Sequence, residues 1–153
     1  MNARMAPLAV ALSLFATTAY AADLNLGTWK LNESKSVIPP GMFKTVTVVF
    51  EQVADGVKVT FDGVDKDGKP FHNGFTGTYD GKEYPVVGTP VADARSLKRV
   101  DANHFTVVNK KGGKPTITID YVIAKDGKTR TGTYSGTTAE GKPVSATMFY
   151  EKQ

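Results

Sequence analysis

Two arginines and a set of aromatic residues are the side chains best suited to hold another molecule. Arg99 and Arg130 carry permanent cations whose planar forks match a carboxylate or phosphate. Arg130 shares strand parity with Tyr134, so a guanidinium and a phenol fall on one face. Facing into a barrel, such a pair can hold an anionic head group through charge-assisted hydrogen bonds. Tyr121, Tyr150, Phe61 and Phe75 supply aromatic surface that either lines a small cavity or fills a core. These seven residues are the candidate ligand-binding set.

Catalytic chemistry finds little support. The chain has no cysteine, which excludes disulfides, thiolate metal sites and a cysteine nucleophile. Its two histidines, His72 and His104, sit in different expected strands without metal-ligand spacing. His72 falls on the face opposite the apolar one and is expected in solvent. No Gly-x-Ser-x-Gly elbow occurs. The glycines mark hairpins rather than helix starts, so no phosphate cradle is expected. No catalytic residue, metal or cofactor is assigned, and the chain reads as a non-enzyme. Lysines and arginines number 19 against 15 acids, a net charge of +4. The lysines are scattered at turns, as in Asp67-Gly68-Lys69 and Asp126-Gly127-Lys128. A nucleic-acid partner would require a basic stripe, and none is expected.

Residues 1–21 read as a targeting signal. Arg4 precedes an apolar stretch from Ala6 to Ala16, and Ala19-Tyr20-Ala21 gives the small-x-small pattern of a cleavage site. The apolar stretch is far shorter than the roughly 20 residues a spanning helix needs. Cleavage is expected after Ala21, leaving residues 22–153 as a single domain in the periplasm or the medium, with no transmembrane segment.

The elements that must position the candidates are strands. No segment shows helical periodicity over several turns, whereas alternation of period two recurs. Asp55-Gly56, Asp62-Gly63, Asp67-Gly68, Asp80-Gly81, Gly112-Gly113, Asp126-Gly127 and Glu140-Gly141 are turn dipeptides that tolerate positive φ. The strands expected between them are Gly27–Asn32, Lys44–Gln52, Val57–Gly63, Phe71–Tyr79, Lys82–Val87, Ser96–Val100, His104–Lys110, Pro115–Ile123, Lys128–Thr137 and Lys142–Glu151. Glu33–Phe43 holds Pro39-Pro40-Gly41 and is expected to be a loop or one helical turn covering a barrel end. Val46, Val48 and Phe50, then Val57, Val59 and Phe61, then Ile117, Ile119, Tyr121 and Ile123 form one apolar face per strand. The expectation is an all-β fold, an antiparallel up-and-down meander barrel of about eight to ten strands.

Leu26-Gly27-Thr28-Trp29-Lys30-Leu31 and the closing Phe149-Tyr150-Glu151-Lys152 resemble the two ends of calycins, in particular the Gly-x-Trp opening and Tyr-Glu-Lys ending of fatty-acid-binding proteins. With its Asp-Gly-Lys turns and the run Tyr79–Val86, the chain over residues 25–153 also resembles exported bacterial lipocalin-like proteins. The resemblance implies structural roles for Gly27, which lets the strand enter tightly, and Trp29, which plugs one end. Two departures limit it. Glu33–Phe43 is too short and proline-rich for the helical lid of fatty-acid-binding proteins. Met148 stands where their carboxylate-holding arginine precedes the final tyrosine. Two functions follow: a carrier for a small apolar or amphipathic molecule, or a non-enzymatic structural or envelope-associated interaction protein with a filled barrel and no ligand.

Overall fold

A computed structural model describes residues 23–138 and 140–153. The expected signal at Met1–Ala21 and its cleavage site lie outside the described residues.

Ten strands follow in chain order: β1 (Gly27–Leu31), β2 (Lys44–Val53), β3 (Gly56–Val64), β4 (Pro70–Gly77), β5 (Asp80–Pro85), β6 (Ala94–Arg99), β7 (His104–Lys111), β8 (Lys114–Ile123), β9 (Thr129–Thr137) and β10 (Pro143–Lys152). They form one antiparallel sheet in the order β4-β3-β2-β1-β10-β9-β8-β7-β6-β5. Consecutive strands pair, β4 and β5 excepted, and β1 closes onto β10, with Trp29 opposite Lys152 and Leu31 opposite Tyr150. This is the up-and-down barrel expected from the turn spacing, and it is compatible with a calycin-like fold.

The barrel is nearly closed. Between β4 and β5 the ladder gives way to one isolated bridge, Gly74 to Val87, with N–H···O distances of 3.1 and 3.0 Å. The chain turns away at Thr78–Tyr79, which is why the strand expected to reach Tyr79 stops at Gly77. The Tyr84 ring fills the gap by lying on Gly77, where a Cβ would come within 2.5 Å of the ring. Its hydroxyl is tied to the Thr78 hydroxyl at 2.8 Å and donates to Asp80 at 3.1 Å.

The segment expected as a loop contains one 3-10 turn, Glu33–Lys35, capped by the Asn32 side chain, which accepts from the Lys35 N–H. Glu33 then accepts from both the backbone N–H and hydroxyl of Thr45 at 2.8 and 3.2 Å. Those contacts hold Thr45 at φ 52°, a left-handed conformation unusual for a β-branched residue. In the loop from Ser36 to Phe43, Val37 is bridged to Thr147, and Ile38, Met42 and Phe43 pack against the core.

The alternating faces point inward as expected. Val46, Val48 and Phe50 of β2, Val57 and Val59 of β3, and Ile119, Tyr121 and Ile123 of β8 are buried in one continuous core. None of the helices among the described residues is long and apolar enough to cross a membrane.

Candidate functional site within the barrel

The interior is built around a cation. Arg130 on β9 lies directly opposite Tyr150 on β10 and is about 1% exposed. Its guanidinium carbon sits 4.6 Å from the Trp29 ring centre, 4.7 Å from Tyr121, 4.9 Å from Tyr150 and 5.1 Å from Phe50. Such cation–aromatic contacts strengthen when desolvated. One hydrogen bond ties it down: Nη1 donates to Asn25 Oδ1 at 2.7 Å. Nε and Nη2 have no hydrogen-bond partner. Burial pushes this guanidinium below its ordinary pKa, because a low-dielectric site disfavours the charged form.

Above it runs a chain of phenols. Tyr121 and Tyr134 meet through their hydroxyls at 2.8 Å, Tyr134 and Tyr150 at 3.0 Å, and Tyr150 donates to the Met148 sulfur at 3.6 Å. The local sequence makes this possible. Arg130, Gly132 and Tyr134 alternate on one face of β9, and Gly132 leaves space for the Tyr121 ring, which a Cβ there would meet at 2.6 Å. Phe105 stacks on Tyr121 at 4.9 Å. Burial pushes the hydroxyl pKa of Tyr134 and Tyr150 well above the ordinary tyrosine value.

A second buried cation lies toward β4 and β6. Arg95 is 6% exposed. Its guanidinium lies 4.6 Å over Phe61 and 5.2 Å from Phe75, and Nε donates to Asn109 at 2.6 Å. Nη1 has no partner, nor does Oδ1 of buried Asn73. Burial lowers the Arg95 pKa to about 10, so it remains charged at neutral pH.

Six of the seven candidate binding residues therefore gather inside. Arg130, Tyr121, Tyr134 and Tyr150 form one group, and Phe61 and Phe75 frame the other. Arg99 is not with them. It sits half-buried at the end of β6, paired with Asp23 at 2.7 Å and lying 3.8 Å over the Tyr79 ring. Trp29 is fully buried at that end, its indole N–H donating to the Asn25 carbonyl at 2.8 Å. Gly27 holds φ 114° beside the Lys152 stem. His72 is exposed and 2.6 Å from Asp62; His104 lies 3.7 Å from Asp120. Among the described residues no group of three or more acids and histidines is placed to hold a metal.

Arg95, Asn73 and Asn25 were missed at the sequence level. Arg95 was findable: it shares parity with Leu97, and the strand expected from Ser96 begins two residues earlier, at Ala94. Two open hollows lie outside the interior. One, of about 490 Å³, adjoins Lys30–Ser34 and Glu151; the other, of about 480 Å³, lies by Ile38–Met42 between Lys44 and Lys66.

Fold and interior together define a small antiparallel barrel whose core is built on guanidinium and aromatic groups. No protein-family model matches the chain, and no curated protein matches it.

Proposed function

We propose that this is an exported binding barrel that carries a small amphipathic molecule with an anionic end in its interior, without catalysis of its own. One observation carries the reading. Two buried guanidiniums present three N–H-bearing atoms without partners, Arg95 Nη1 and Arg130 Nε and Nη2, while no carboxylate is buried among the described residues. An unpaired buried charge is costly, and an anionic guest would offset that cost in the bound state. Surrounding aromatic and aliphatic side chains suit an apolar tail. Export to the periplasm or medium rests on the leader read from residues 1–21.

Native mass spectrometry of the protein purified gently from an exporting host tests this. Extra mass that disappears on organic extraction supports a carrier and identifies the ligand class. A clean protein mass, with no uptake of a neutral apolar dye, favours the second reading, a filled structural or envelope-associated barrel. That alternative draws support from the two open hollows, which both lie outside the core.

A further inference from the structure

Resting on that reading, we propose that Arg95, not Arg130, receives the anionic end, with the Asn73 amide as its second contact. The ligand is then a carboxylate with a hydroxyl or N–H donor beside it, admitted when Phe43 withdraws.

The two cations differ in what already occupies their surroundings. Arg130 is enclosed by four rings within 5.1 Å and fixed by Asn25. The four rings leave an anion less room to approach it than the two rings at Arg95 do. Arg95 touches two rings and makes one hydrogen bond.

Asn73 completes the pair. It stands opposite Phe61 in the β3–β4 register, and Phe61 is the ring on which Arg95 stacks. Arg95 and Asn73 are 6% and 8% exposed, so both unpartnered atoms sit beside the same side chain out of water. One is a donor and the other an acceptor. A carboxylate satisfies the guanidinium; a neighbouring hydroxyl or N–H satisfies the amide oxygen. Buried polar groups are ordinarily paired, and two complementary exceptions around one ring describe a guest with both functions.

Access is through the Ser36–Phe43 loop. Phe43 packs against Phe71 at 5.9 Å and Tyr134 at 6.3 Å, so it reaches from the loop into the core. Lys44, Lys66 and Glu33 line the hollow beside this loop, and Lys66 is paired with Asp67 at 2.7 Å.

Calorimetric titration with decanoate, 3-hydroxydecanoate and decanol tests the assignment. The expected order of affinity is 3-hydroxydecanoate, then decanoate, then decanol. Arg95→Met should weaken decanoate binding about 10- to 100-fold, the usual effect of losing a hydrogen bond to a charged group. It should also raise the Tm, because an unpaired buried cation is removed; a merely structural arginine would lower it. Asn73→Leu should abolish the hydroxyl preference, which keeps the test open if Arg95→Met does not fold. Decanol binding as tightly as decanoate, or Arg95→Met binding decanoate normally, overturns this assignment and leaves the carrier reading standing. Failure of all three probes and of a neutral apolar dye removes the carrier reading, and the assignment with it.

Discussion

Asn25 and Arg130, 105 residues apart in sequence, meet inside one end of the barrel, where the guanidinium donates to the amide oxygen at 2.7 Å. Asn25 is fully buried and spends its groups on the same task. Its amide nitrogen donates to the Tyr79 hydroxyl at 2.9 Å, its carbonyl accepts from the Trp29 indole, and its backbone N–H donates to Asp23. The residues ahead of β1 thus close the barrel by hydrogen bonding to its central cation.

Asn25→Asp should therefore stabilise the protein. It places a carboxylate of the same shape against a cation whose burial is already part of the fold, and the Tyr79 hydroxyl can turn to donate. A gain in stability at pH 7 is expected from urea unfolding, because a buried cation without a counter-charge acquires one. The new carboxyl has its pKa held below the ordinary value of about 3.9 by the guanidinium. Its contribution is fully present above that value and is lost as pH falls through the lowered one. A variant less stable than the parent at pH 7 would show that the site does not accept the ion pair.

Tyr134→Phe probes the phenol chain. Tyr134 is the middle link, bonded to Tyr121 at 2.8 Å and Tyr150 at 3.0 Å, so its removal leaves two buried hydroxyls short of a partner. The expected cost is about 1–3 kcal/mol. Tyr150→Phe should cost less, because Tyr150 ends the chain on a weak sulfur acceptor. Equal costs in chemical denaturation would argue against a linear network.

The strands and the Arg130–Tyr134 face were legible because both are local. Asp-Gly turns set strand ends, and alternation sets which residues share a side. Closure was not local. Nothing near Asn25 signals that it will meet Arg130 across the barrel. Parity also cannot separate Arg95 from Arg99, which share a face of β6. Arg95 lies within the strand over Phe61, whereas Arg99 ends it, where Asp23 pairs with its guanidinium. Asn73 lies between Phe71 and Phe75 on one face of β4, and only the burial of Arg95 beside Phe61 gives it a meaning.

Gly88→Ala should open the seam. Gly88 holds φ 83°, and a Cβ there would stand 2.3 Å from the His72 carbonyl, beside the one bridge joining Gly74 to Val87. Neither the angle nor the space suits alanine, and a loss of about 1–3 kcal/mol is expected. Hydrogen exchange should speed up at the Gly74 and Val87 amides and stay slow at β1 and β10. Uniform acceleration around the barrel would mean that this bridge is not a separable unit.

Alkaline pH should unfold the protein through its tyrosines. Tyr134 and Tyr150 are held well above the ordinary tyrosine pKa, and Tyr79 is raised to about 12, in each case chiefly by burial. In the unfolded chain these hydroxyls ionise near pH 10. Their folded pKa values are raised, so the neutral form favours the fold. The stability they contribute is fully present below about pH 10 and is lost as pH rises from there through the folded values. The urea midpoint should be flat up to about pH 9 and fall steeply above pH 10. Phenolate absorbance from Tyr79, Tyr134 and Tyr150 should appear only with unfolding. Tyr134→Phe should soften the fall, because one strongly shifted group is gone. Smooth ionisation of every tyrosine near pH 10 without loss of structure would show that the phenol chain is open to water.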